Sequence, residues 1–173
     1  MNRIIIQSAI TAIVLILLQV LVFNRISLWG VATPLVYIYI FLRLPLKTNL
    51  NLVLTIAFVT GLLVDVFADT PGLNSLVATV TCALRKPILK LYLPREEDIA
   101  DPVPSIRSFG LPVFAKYALT FTVVFTTLIF TVEAFSLFNP LKLLLKIICS
   151  TILTWGLIMA ADTLTTPQHA KRL

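Results

Sequence analysis

The chain holds one histidine, His169, and two cysteines, Cys82 and Cys149, in 173 residues. That scarcity excludes much chemistry. Nucleophilic catalysis needs a Ser or Cys beside a base that a third group orients, and the lone histidine stands in the C-terminal tail. A metal centre wants three or four clustered ligands, whereas the two cysteines are far apart, form no CxxC and fall inside apolar runs. They read as small buried hydrophobes. There is no Walker loop and no GxGxxG, so the usual nucleotide cradles are missing. No catalytic residue, cofactor or metal is expected. Charge is scarce as well: 13% of the residues are charged against 58% hydrophobic, and the mean hydropathy is +0.98. A soluble domain does not have that balance. The net charge of +6 comes from basic residues at the ends of apolar runs. No basic patch interleaved with aromatics is formed, so nucleic acid is not an expected partner.

What the sequence does have is long hydrophobic runs, enough for about six spans of roughly 20 residues. The expected architecture is an all-α integral membrane protein, one domain over 1–173, with spans at 4–23, 29–46, 50–67, 72–93, 111–132 and 140–161. The first run is too long for a signal peptide and is followed by no small-x-small site, so it reads as a retained span. The second starts near Trp29, is interrupted by Pro34 and ends at Arg43 and Pro45, which makes it short and bent. Thr48 or Asn49 reads as the N-cap of the third. Thr70 with Pro71 at the first helical position opens the fourth, which kinks where Arg85, Lys86 and Pro87 interrupt it. Beyond that kink Lys86 and Lys90 share a face, as positive anchors or as a lipid or partner contact. The threonines of the fifth span read as helix-packing groups. Asn139 and Pro140 open the sixth.

Lys and Arg set the orientation. With six spans and both termini in the cytoplasm, Arg3, Arg43, Lys47, Arg85, Lys86, Lys90, Arg95, Arg107, Lys116, Lys171 and Arg172 lie inside, and only Arg25, Lys142 and Lys146 outside. Excess cytoplasmic Lys and Arg is the usual sign of topology. The polar segment 94–110 is then a cytoplasmic loop. Its acids Glu96, Glu97, Asp98 and Asp101 suit either docking to a basic partner or a solvated connector.

One stretch stands apart: GLLVDVFADTPGLNSL, from Gly61 to Leu76, places two carboxylates between apolar runs. An aspartate near hydrocarbon costs a few kcal/mol and marks a structural lock or a functional site. Asp65 is expected to pair with an outer cation, Arg25 foremost, or to cap backbone. Gly61, four residues earlier on the same face, would let another helix approach closely, so the two together read as a helix-contact stripe. Asp65 and Asp69 share a helix face, yet no acid in a contrasting environment accompanies them, and an acid–base pair is not indicated.

These residues carry a family resemblance. The run GLLVDVF with Gly61 and Asp65, then Gly72 and Leu73, then ALRKPILKLYLPREE, resembles the rod shape-determining MreD family, and so do QVLVFN, the span around Pro34 and NPLKLLLKI. The resemblance implies a non-enzymatic subunit of the bacterial inner membrane that binds the single-span protein MreC. Through MreC it implies a complex with the MreB filament, a RodA-type glycosyltransferase and a penicillin-binding transpeptidase, scaffolding lateral wall synthesis. It also implies a fold similar to the substrate-binding subunits of energy-coupling-factor transporters, so a small-solute-binding subunit of a vitamin transporter is the alternative. Gly61, Asp65, Gly72, Arg25, Glu96 and Glu97 are the expected partner or helix contacts, and the lipid bilayer is the surrounding medium.

Overall fold

The computed structural model describes residues 14–20, 33–93, 103–134 and 140–165. They form helix α1 (14–20), α2 (Ile38–Leu42), α3 (Leu50–Ala68), α4 (Leu73–Ala83), α5 (Arg85–Tyr92), α6 (Ile106–Phe109), α7 (Leu111–Ala134) and α8 (Pro140–Thr165), with no strand among the described residues. Three of them, α3, α7 and α8, are long and apolar enough to cross a membrane. At about 1.5 Å per residue they measure roughly 28, 36 and 39 Å, against a hydrocarbon layer of about 30 Å.

Two helical hairpins organise the domain. α3 packs chiefly on α4, and α7 on α8, while α4 and α5 lie against α7 and join the two pairs. The inner face of α7 is aromatic. Tyr37 meets Phe125 and Phe41 edge-on at centroid distances of 5.7 and 6.0 Å, and Tyr117 is ringed by Phe109, Phe114 and Phe121. Such pairs add stabilisation beyond their buried area. Between α7 and α8 the hydroxyls of Thr126 and Thr151 bond at 2.7 Å, and Trp155 Nε1 donates to the Ala115 carbonyl at 3.0 Å. At Thr126 the packing reading of the threonines is what the helices use.

The second apolar run is not a continuous helix. Only α2, five residues long, is helical between residues 33 and 49. Pro34 has no N–H and biases the residue before it away from helix. The irregular stretch is satisfied by side chains of helices on either side. Gln19 Nε2 donates to the Pro34 carbonyl at 2.9 Å and its Oε1 accepts from Val36 N at 2.8 Å. From α8, Ser150 Oγ accepts from Thr33 N and Thr154 Oγ1 from Leu35 N, both at 3.0 Å. Non-helical backbone survives at membrane depth only under such cover.

The fourth span breaks at its expected kink, and other boundaries differ from the sequence expectation. The fourth run divides at Leu84 into α4 and α5, because Pro87 cannot donate to the Ala83 carbonyl. α4 begins at Leu73, with Gly72 as its N-cap in the left-handed region, so Thr70 and Pro71 lie in the turn and do not open the helix. α8 runs on to Thr165. The end of segment 94–110 is not plain loop: α6 is held by a capping box in which Ser105 Oγ accepts from Ser108 N and Ser108 Oγ from Ser105 N. Cys82 is buried as expected, but Cys149 is exposed on the apolar outer face of α8. Asn139, Arg25 and the four acids of 96–101 lie outside the described residues.

The Gln19 clamp yields a prediction. Gln19→Leu strips the Val36 N–H and the Pro34 carbonyl of their partner in a site with 0% exposure. It should destabilise the protein by about 2 kcal/mol or more, read from denaturant unfolding in mixed micelles. An unchanged midpoint would remove the clamp from the account of the fold.

Candidate functional site

Asp65 is 5% exposed near the C-terminus of α3 and accepts four hydrogen bonds. Its Oδ1 takes Thr70 Oγ1 at 2.8 Å, Asn74 N at 2.8 Å and Asn74 Nδ2 at 2.9 Å, while Oδ2 takes Ser75 N at 2.9 Å. Asn74 and Ser75 are the second and third residues of α4. Their N–H groups have no partner within the helix, and an N-cap side chain usually supplies one. Here the N-cap is Gly72, which has no side chain, and the preceding helix provides the oxygen instead. The carboxylate also meets the positive end of the α4 dipole. The turn between the two helices reverses through Asp69 at φ 52° and Gly72 at φ 80°, left-handed conformations that Asp and Gly tolerate.

Gly61 makes that reach possible. A Cβ there would stand 2.4 Å from Ser75 Cα, 2.6 Å from Ser75 N and 2.7 Å from the Asn74 carbonyl oxygen, all backbone atoms that cannot step aside. α3 and α4 therefore touch backbone to backbone one turn below Asp65. The expected stripe of Gly61 and Asp65 exists, and its partner is this chain's own next helix. Gly72 joins the same turn as N-cap, its carbonyl accepting from Ser75 Oγ at 3.0 Å. The polar set extends inward, because Asn74 Oδ1 accepts from the Tyr37 hydroxyl at 2.8 Å and ties the turn to the aromatic core.

The salt-bridge expectation for Asp65 finds no support among the described residues. Its four partners there are neutral donors. Lys146 is engaged with Glu133 at 2.9 Å and sits over the Phe130 ring at 4.6 Å. A carboxylate that already accepts two backbone and two side-chain donors needs no cation to offset its desolvation.

A second carboxylate went unmarked in the sequence. Asp162 is fully buried on α8, where it looks like the tail of an apolar span. Its Oδ1 accepts from the Tyr39 hydroxyl at 2.8 Å and lies 3.8 Å from Arg43 Nη1, while Oδ2 accepts from Ile106 N at 2.8 Å. Thr165 closes the cluster by bonding both Tyr39 and Arg43. The signal was present: an acid, an arginine and a tyrosine at matching span ends. Asp162 thus fastens α2 and the start of α6 to α8, at the opposite end of the domain from Asp65. Neither carboxylate is left with a free face toward a reactant, and both clusters act as latches.

Comparison with protein-family models, curated proteins and solved structures finds no match to this chain.

The Asp65 latch predicts a graded series. Asp65→Ala should cost about 3 kcal/mol, since two backbone N–H groups lose a charged acceptor, and Asp65→Asn about half of that. Unfolding midpoints in micelles should rank wild type, Asn, Ala; equal midpoints would show that the latch holds nothing. Gly61→Ala should cost about 3 kcal/mol by prising Ser75 N from Asp65, and combining it with Asp65→Ala should be less than additive, because both break one contact.

Proposed function

We propose that the chain is a non-enzymatic membrane subunit of a bacterial cell-elongation complex, one that scaffolds an MreC-like partner and, through it, the wall synthases. The observation that carries this reading is a convergence. Gly61, Asp65 and Gly72, three of the residues on which the MreD resemblance rests, meet in one structural latch. Residues spent on holding helices in place suit a protein whose product is a shape. The described outer faces agree with that role. Phe58, Leu62 and Val66 on α3 and Leu141, Leu144, Ile148 and Ile152 on α8 are exposed and apolar, surfaces that meet lipid or another helix.

In this reading the chain crosses the inner membrane six times. Its crossings are α1, the broken element containing α2, α3, α4 with α5, α7 and α8, and both termini are cytoplasmic. The acidic 94–102 segment then faces the cytoplasm, and the Asp65 latch the outside. Alkaline phosphatase fused after Leu173 should be inactive and a fluorescent protein there bright; the reverse would invert the topology.

Partner identity has a direct test. Purification of C-terminally tagged protein from solubilised membranes should recover MreC and restore rod shape when the tagged copy is the only one. Recovery of an ABC ATPase pair with a bound vitamin, and no MreC, would replace this reading with a transport subunit.

A further inference from the structure

Among the described residues, Arg85 is the one buried charge that neither latch uses. It opens α5 with 2% exposure, its Nη2 donates to the Leu44 carbonyl, and its Nε has no partner. No carboxylate pairs with it among the described residues, where the ion pairs are Arg43 with Asp162 and Lys146 with Glu133. A carbonyl supplies a partial charge only, so the guanidinium is left largely uncompensated in a low-dielectric site.

Its surroundings are short of acceptors in the same way. The hydroxyls of Thr81, Tyr117 and Thr122, all on residues with 0% exposure, also lack hydrogen-bond partners. Tyr117 lies beside the Arg85 guanidinium, close enough to interact but without a well-formed hydrogen bond to it, and both adjoin Cys82. α4 and α7 run antiparallel here: Tyr117 adjoins Arg85, while Phe125 packs on Tyr37, which bonds Asn74 at the far end of α4. Thr81 is four residues before Arg85, about one turn along toward Asn74, whereas Thr122 shares with Thr126 the stripe of α7 that faces α8. Three unpartnered donors, Arg85 Nε and the hydroxyls of Tyr117 and Thr81, therefore stand within about one turn of each other, with one unbalanced positive charge among them.

The geometry points to a buried oxyanion site, of the phosphate class, held by Arg85 and Tyr117 with Thr81 about one turn away. Water would satisfy the hydroxyls but would leave the charge. An oxyanion supplies both the negative charge and several acceptor oxygens. The depth fits a headgroup. Gly61 faces Ser75 in the α3–α4 hairpin; ten residues on from Ser75 is Arg85 and ten back from Gly61 is Asn51, at the start of α3, which places the site at a membrane interface. Exposed Lys86 and Lys90 on the adjoining helix raise the local concentration of anions there. The phosphate comes either from a phospholipid or from solution, and the chemistry of recognition is shared.

Delipidated protein in neutral detergent should be titrated with inorganic phosphate, and in parallel placed in phosphatidylcholine nanodiscs with and without phosphatidylglycerol, following thermal unfolding. Wild type should be stabilised by at least one probe, with Arg85→Gln weakening the response about tenfold or more and Tyr117→Phe weakening it several-fold. Stabilisation by phosphate alone assigns a soluble anion; stabilisation by phosphatidylglycerol without a response to phosphate assigns a lipid headgroup. Should Arg85→Gln fail to fold, Tyr117→Phe and Thr81→Val carry the comparison, since each removes only a hydroxyl. No response to either probe, or responses equal in wild type and in these variants, would overturn the site.

Discussion

Where no water reaches, a backbone amide or carbonyl outside a helix must find its partner in the protein, and the described fold is arranged around that requirement. Three breaks in helix are met by side chains from another element. Gln19, Ser150 and Thr154 hold the irregular stretch at 33–36. Asp65 holds the start of α4, and Asp162 the start of α6. In each case the cover comes from a residue distant in the chain, so satisfying the break also fixes where two elements sit. Local saturation and tertiary placement are one event.

That coupling explains why Gly61 and Asp65 belong together. α4 is the main packing partner of α3 among the described helices, so α3 keeps its position through the hairpin. Apolar burial cannot supply this, because a leucine gains little by exchanging lipid for another helix. The close contact at Gly61 supplies dispersion between backbones, and the Asp65 carboxylate supplies directional bonds that only one register satisfies. Slip of one residue would turn Ser75 N away from Oδ2 and bring a side chain against Gly61.

How much of this was legible in the sequence follows from the range of each signal. Apolar runs are local, and α3, α7 and α8 match the spans expected of them to within a few residues. The glycine and acid at 61 and 65 were legible as a contact stripe because i, i+4 spacing is also local. The partner of Asp65 was not. Thr70 followed by Pro71 imitates a helix start, and nothing local says that an aspartate five residues upstream takes the capping role from the side-chainless Gly72. Asp162 was passed over because it stands one residue beyond a span drawn by hydropathy, and its partners come from two other stretches, Tyr39 and Arg43 from α2 and its C-cap and Ile106 from α6. Arg43 and Arg85 had been counted only as topology markers. Hydropathy registers a charge as the end of a span, so it overlooks charges that fold back inside.

The two arginines show what separates a latch from a vacancy. Arg43 is partly exposed, and Asp162, Tyr39 and Thr165 all face it, so charge and donors are balanced within the chain. Arg85 is more deeply buried and meets one carbonyl, with hydroxyls around it that satisfy one another no better than they satisfy it. A structural role alone would have favoured an apolar residue at position 85, since replacing buried ions by hydrophobes is often neutral or stabilising. The cost of keeping a guanidinium there is offset only when something negative shares the site, and the described chain offers no such group. Asp65 and Asp162 are complete as they stand. Arg85 has no such completion among the described residues.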